Sequence, residues 1–145
     1  MCFGAKNNQC GKFNVPSSGN LAAVKLVHLY GYVTCFSSVK ASWSHWGCGI
    51  CEMPQDQLNV VITTTANANG ILLPPSQFML SASGKWYKIR GCNDMSPELV
   101  LSFFSQPHWV NSGKELRLWY GEDFADHTEG DNDGKACCDV YALYV

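Results

Sequence analysis

Seven of the chain's twelve acidic residues stand between Glu122 and Asp139: Glu122, Asp123, Asp126, Glu129, Asp131, Asp133 and Asp139. Carboxylates gathered this closely repel one another unless water or a cation screens them. Calcium takes roughly six to eight hard oxygen ligands in irregular geometry, so a segment rich in Asp, Glu and Asn suits it. Glu129, Asp131, Asp133 and Gly134 match the first, third, fifth and sixth positions of an EF-hand loop. The twelfth position is Val140 where that loop needs a bidentate Glu, and no helical pattern flanks the segment. The spacing therefore predicts a calcium loop, Glu122 to Asp133, on a β scaffold. Magnesium fits less well, because it usually completes its shell with substrate phosphates. The alternative is a solvated acidic loop that binds nothing. Gly121, Gly130 and Gly134, together with strand patterns on both sides, favour the ion.

The second chemistry-bearing set is eight cysteines: Cys2, Cys10, Cys35, Cys48, Cys51, Cys92, Cys137 and Cys138. An even count at this density predicts structural disulfides and hence a secreted, extracellular protein. The C-x-x-C at Cys48–Cys51 is also compatible with a redox pair or half of a zinc site. Zinc needs a second such pair or spaced histidines, whereas His28, His45, His108 and His127 stand apart. A redox motif needs a βαβ context, and none is legible. Neighbouring Cys137 and Cys138 point to opposite faces of a strand, so they are expected to take different partners. An outward cysteine, or Cys2, is then available to bridge two chains in a homodimer.

Aromatic residues form the third set. Trp43 and Trp46 flank His45 in a small-residue stretch just before Cys48. Indoles in a loop offer a stacking surface for the apolar face of a pyranose, or they fill a core. Trp86 and Trp119 read as core residues. Gln106-Pro107-His108 is similar to the Gln-Pro-Asp triplet with which C-type lectins select galactose, but its third residue departs and no Trp-Asn-Asp follows.

The elements that hold these residues are short and regular. Strand patterns run over Val24–Tyr30, Tyr32–Phe36, Leu58–Thr65, Phe78–Ser83, Lys85–Arg90, Leu99–Phe104, Glu115–Tyr120 and Cys138–Val145. Turn residues separate them, among them Pro16 to Gly19, Asn69-Gly70, Pro74-Pro75 and Asn111 to Gly113. Ser96 to Leu99 offers at most one capped turn, and no helical stripe of useful length is present. About eight short antiparallel strands with turn-rich joints predict an all-β, disulfide-stapled sandwich. Leu116, Leu118 and Tyr120 share one face of their strand, Arg117 and Trp119 the other. At 145 residues the chain reads as a single domain, 1–145, without repeat or linker. The segment Thr65–Gly70 is its most loop-like interior stretch.

Charged residues make up only 15% and the net charge is −2. With ten scattered Lys and Arg there is no basic field, which argues against nucleic acid as a partner. No run approaches about 18 apolar residues, so no membrane insertion is expected. An apolar leader is not evident either; a mature domain behind an added initiator Met and a cytosolic start both fit.

Taken together, the motifs LRLWYGED at 116–123, TEGDND at 128–133 and CDVY at 138–141 resemble the small galactose-binding lectins of sea anemones, and GYVTC at 31–35 and WSHWGC at 43–48 agree. The resemblance covers nearly the whole chain. It implies a secreted, calcium-dependent carbohydrate-binding protein selective for terminal β-galactosides, forming disulfide-linked homodimers, outside the C-type lectin and galectin folds. It implies that Ca2+ contacts vicinal sugar hydroxyls, the galactose 3- and 4-hydroxyls. Carried onto this chain, it makes Glu122, Asp123, Glu129, Asp131 and Asp133 ion ligands. Asp126, His127 and Asn132 become hydroxyl partners, and Tyr120, Trp43 and Trp46 stacking surfaces.

Two rival functions remain. Asp123 and Glu129 could act as acid and base on a glycoside, yet nothing in the sequence separates their environments, and the expectation is a protein that is not an enzyme. An extracellular matrix or adhesion module with a purely structural calcium loop shares every feature except the sugar.

Overall fold

Alternating and β-branched runs dominate the chain. In a computed structural model, which describes residues 1–50, 54–64 and 70–145, they form nine strands among the described residues. These are β1 (Cys2–Gly4), β2 (Gly11–Asn14), β3 (Gly19–Thr34), β4 (Val60–Thr63), β5 (Ile71–Leu73), β6 (Glu98–Ser102), β7 (His108–Val110), β8 (Glu115–Tyr120) and β9 (Asp133–Tyr144), with one short helix, α1 (Gly121–Ala125), between the last two. One sheet has the order β1-β9-β3-β6, with β7 also on β3; the other has the order β2-β8-β4-β5. Every strand pairing is antiparallel. The fold is the all-β, disulfide-stapled sandwich that the strand spacing predicts.

The core lies between the sheets. Val24, Leu26, Leu99 and Leu101 from one sheet meet Val60, Ile62, Leu116 and Leu118 from the other, all at most 1% exposed. Burying each such side chain contributes roughly 1.5–3 kcal/mol. Leu116, Leu118 and Tyr120 do share a buried face of β8. Trp119, on the opposite face, is buried as well, because its indole N–H donates to Thr63 Oγ1 at 3.1 Å and its ring meets Phe124 edge-on.

The structure corrects several local readings. Val24–Tyr30 and Tyr32–Phe36 are one strand of 16 residues rather than two. Gly31, at φ +82°, and a register shift between His28 and Tyr30 absorb the break while β9 stays paired along the whole length. Phe78–Ser83 and Lys85–Arg90 reduce to a 3-10 turn and isolated bridges, Leu58–Tyr87 and Ser81–Trp86. Ser96–Leu99 caps no helix; Glu98 and Leu99 open β6. The acidic segment is not loop throughout, since it begins in α1 and later makes a 3-10 turn over Glu129–Asp131. The stretch from Thr65 to Asn69 lies outside the described residues.

Cys2 and Cys137 are directly opposed on β1 and β9 and form a disulfide. Cys35–Cys48 ties the end of β3 to the WSHWGC stretch. The bridging role expected of Cys2 is thereby corrected, because its sulfur is held within the chain. Cys137 and Cys138 do have different fates, as opposite faces require: Cys138 is a buried thiol, its pKa pushed up to about 11 by burial. Cys10 and Cys92 are half-buried thiols. Of the C-x-x-C, Cys48 serves the Cys35 bridge, and Cys51 lies outside the described residues.

Candidate functional site

The acidic segment is anchored by a residue the motifs did not single out. Asn59 sits in an apolar run at the head of β4 and is fully buried. Its main-chain carbonyl accepts the Gly121 N–H, its Oδ1 accepts the Glu122 N–H at 3.0 Å, and its Nδ2 donates to the Gly84 carbonyl at 2.7 Å. The first N–H groups of a helix have no partner inside it; Asn59 supplies partners for two of them and so fixes where α1 begins. Gly121 is needed for this approach, because a Cβ there would lie 2.9 Å from the Asn59 carbonyl oxygen. The one sequence signal was a lone Asn among Leu58, Val60, Val61 and Ile62.

From that anchor the carboxylates diverge. Asp123 is buried, and its two oxygens accept the N–H groups of Asn8 and Gln9 at 2.8 and 3.0 Å. Glu129 Oε2 accepts the Asn7 N–H at 3.1 Å. Asp133 faces Lys6 at 3.7 Å and accepts the Gly134 N–H at 2.8 Å. These three residues therefore clamp the N-terminal turn, Lys6 to Gln9, onto the acidic segment. Asp131 is exposed, and its main-chain carbonyl accepts the Ser37 N–H at 2.9 Å. Among the described residues, no three His, Cys, Asp or Glu side chains gather into a metal cluster.

Glu122 and Asn132 stand out. Both are buried, at 4% and 0% exposure, and Glu122 Oε1 and Asn132 Oδ1 have no hydrogen-bond partner. Glu122 Oε2 accepts the Trp86 indole N–H at 3.3 Å and the Thr128 hydroxyl at 3.2 Å. Asn132 Nδ2 donates to the Ala5 carbonyl at 2.9 Å. Burial pushes the Glu122 carboxyl up to about 7 in spite of these donors and of the Asn132 side chain within hydrogen-bonding reach. An acceptor buried without a partner costs roughly 1–3 kcal/mol, so this pair of oxygens calls for a proton, a water or a cation. Nearby, the Glu129 carboxyl, by hydrogen bonding and by its charge, pushes the exposed Asp126 carboxyl upward.

The proposed sugar contacts divide. Asp126 is exposed at the left-handed end of α1, and His127 is half-buried with its N–H on the Glu122 carbonyl. Tyr120 and Trp46 are fully buried: the Tyr120 hydroxyl donates to the Gly47 carbonyl at 2.9 Å and the Trp46 indole N–H to the Ser96 carbonyl at 2.7 Å. Neither presents a face to a sugar, which corrects their reading as stacking surfaces. Trp43 is half-exposed and, with Tyr32 and Lys40, lines an open depression of about 390 Å³.

No protein-family model matches the chain, and no curated protein does either. Among solved structures, the chain is similar to AJLec from the sea anemone Anthopleura japonica. The two are 38% identical with a TM-score of 0.85, over all of this chain and 92% of that one.

Proposed function

Because the chain belongs to the lectin family represented by AJLec of Anthopleura japonica, we propose that its carbohydrate-binding role is the calcium-dependent recognition of terminal β-galactosides at the acidic segment. The galactoside and the ion follow from the resemblance of the motifs to sea-anemone galactose-binding lectins. The observation that carries the site is the pair of partnerless buried oxygens, Glu122 Oε1 and Asn132 Oδ1.

The donor set fits a hard cation: carboxylate and amide oxygens, without thiolate or imidazole. Glu122 and Asn132 would hold it through their partnerless oxygens, and Glu129 and Asp131 are the remaining candidates on the segment. Asp123 is spent on the N-terminal turn, both of its oxygens accepting backbone N–H groups, whereas Asp133 uses only Oδ1 and stays a candidate. Bound calcium would supply open coordination positions for two vicinal hydroxyls of galactose. Asp126 and His127 would accept or donate bonds to the remaining hydroxyls. The disulfides Cys2–Cys137 and Cys35–Cys48 and the lectin family fit a secreted protein. A homodimer would raise avidity on a crowded cell surface without new contacts.

One observation favours a second reading. Asp123, Glu129 and Asp133 fasten residues 6–9, so calcium at this segment could serve rigidity alone, as in a matrix or adhesion module. Chromatography on immobilised galactose separates the two. Retention in calcium with elution by chelator or free galactose is the expected result. Passage straight through in calcium favours the matrix module, and retention indifferent to chelator removes the ion from binding.

A further inference from the structure

Beside the acidic segment, the C-terminal half of β3 carries a cluster of rings. Val33 and Ser44 exchange two backbone hydrogen bonds of 2.8 Å, which places His45 opposite Tyr32 and Trp43 opposite Thr34. His28 stacks on His45 with centroids 3.5 Å apart, and Tyr32 closes a three-ring cluster, its centroid 5.5 Å from His45 and 6.0 Å from His28. Both imidazoles are fastened to backbone, His28 donating to the Gly31 carbonyl at 2.7 Å and His45 to the Ser96 carbonyl at 3.1 Å. Tyr32, 47% exposed, shares the open depression with Trp43 and Lys40. Rings held this way lose little conformational freedom when something lies on them.

The charge around these rings is opposite to that of the neighbouring loop. Lys40 lines the depression, and exposed Lys135 is the direct cross-strand partner of Tyr32 on β9. Directly opposed side chains share a face, with Cβ atoms about 5 Å apart. Among the described residues, neither lysine makes an ion pair. Two unpaired ammonium groups flanking two partly exposed rings match a saccharide with an apolar ring face and an anionic substituent. Lysine is a compact point charge with rotatable donors, which suits the tetrahedral oxygens of a sulfate ester; a planar carboxylate is best met by the guanidinium fork, and no arginine lines the depression.

We propose that Tyr32, Trp43, Lys40 and Lys135 form a second saccharide subsite, beside the acidic segment, for a sugar bearing a sulfate ester. It extends the galactoside reading and rests on it for the identity of the neighbouring sugar: the acidic segment takes the terminal galactose, and this subsite takes the sulfated residue next to it.

Calorimetry in calcium with three probes tests the proposal: lactose, lactose sulfated at the glucose 6-hydroxyl, and galactosyl-β-1,4-glucuronic acid. The sulfated disaccharide should bind roughly tenfold more tightly than lactose, the scale of one added charge-assisted hydrogen bond. Lys40→Met with Lys135→Met should abolish that preference and leave lactose affinity unchanged, which also shows that the variant is folded. The glucuronide should gain less than the sulfate. Equal binding of sulfated and plain lactose overturns the subsite and leaves the galactoside reading standing, as does a preference that survives in the double variant. An equal or larger gain for the glucuronide overturns the assignment to sulfate. Lysine-dependent binding of the sulfated probe without binding of lactose supports the subsite and overturns the galactoside reading. Failure of all three probes overturns both.

Discussion

Trp43 lies across the backbone of Gly134. A Cβ at Gly134 would stand 2.6 Å from Trp43 Cζ3 and would collide with the Tyr32 carbonyl oxygen. Its φ of +89° is a left-handed conformation in which other residues are strained. The glycine that closes the Asp-x-Asp-Gly pattern is thus required by an indole packed from β3's other side.

Gly134→Ala should therefore cost about 2 kcal/mol, combining left-handed strain with displacement of the ring. Urea unfolding measures it. Near-ultraviolet circular dichroism should change as well, because the Trp43 indole must move. A variant with unchanged midpoint and unchanged aromatic signal would show that Trp43 does not rest on this backbone.

The elements legible in the sequence are those whose period is long enough to read. Glu115–Tyr120 has the boundaries its alternation predicts, and the buried row Leu116, Leu118, Tyr120 follows. Strands β1, β2, β5 and β7 have only three or four residues, too few for a pattern to rise above background. The acidic cluster was legible as charge, but its division of labour was not. The partners of Asp123 lie 115 and 114 residues away and are backbone N–H groups, which every sequence offers everywhere. Asn59 is hard to read for a related reason: a single amide in an apolar run announces a buried hydrogen bond without naming its partner. Tyr120 and Trp46 lie in the core and not at a surface, and an aromatic residue beside a loop has the same one-dimensional signature in either place.

Asp123→Asn should weaken the clamp on the N-terminal turn. An amide keeps one oxygen to accept one of the two N–H groups and sets its NH2 donor against the other, so one hydrogen bond is lost at a cost of about 2 kcal/mol. Amide exchange at Asn8 and Gln9 should accelerate. The loss should be the same in calcium and in chelator, since both carboxylate oxygens are already occupied by backbone. A loss confined to calcium-containing buffer would instead make Asp123 an ion ligand.

Glu122 gives a pH dependence with a definite sign. Its folded pKa, about 7, lies above the ordinary 4.5, so the folded chain holds this proton more tightly than the unfolded one. Stability from this group is thus highest below pH 4.5, falls as pH rises from 4.5 to 7, and levels off above. The total is on the order of 3 kcal/mol. In chelator, the difference in unfolding free energy between the wild type and Glu122→Gln should change by that amount across the window. Calcium should reduce the change by stabilising the ionised carboxylate. A difference independent of pH would mean that the buried carboxyl does not carry the shift.

The disulfide-linked homodimer that the resemblance implies needs an accessible sulfur outside the intrachain bridges. Cys2 and Cys137 bond to each other, and Cys138 is buried. Among the described residues this leaves Cys10 and Cys92, both half-buried, and Cys10 directly precedes β2, an edge strand open to a second chain. Iodoacetamide applied to the reduced, folded protein should therefore label Cys10 well before Cys138, as read by peptide mass. On non-reducing gels, Cys10→Ser should run as monomer while the wild type runs as dimer. Agglutination should fall at least tenfold, on the scale of avidity lost when two sites are unlinked, with monovalent lactose affinity unchanged. A dimer band that persists in Cys10→Ser would place the bridge elsewhere, and equal losses in agglutination and lactose affinity would show that the substitution damages the site itself.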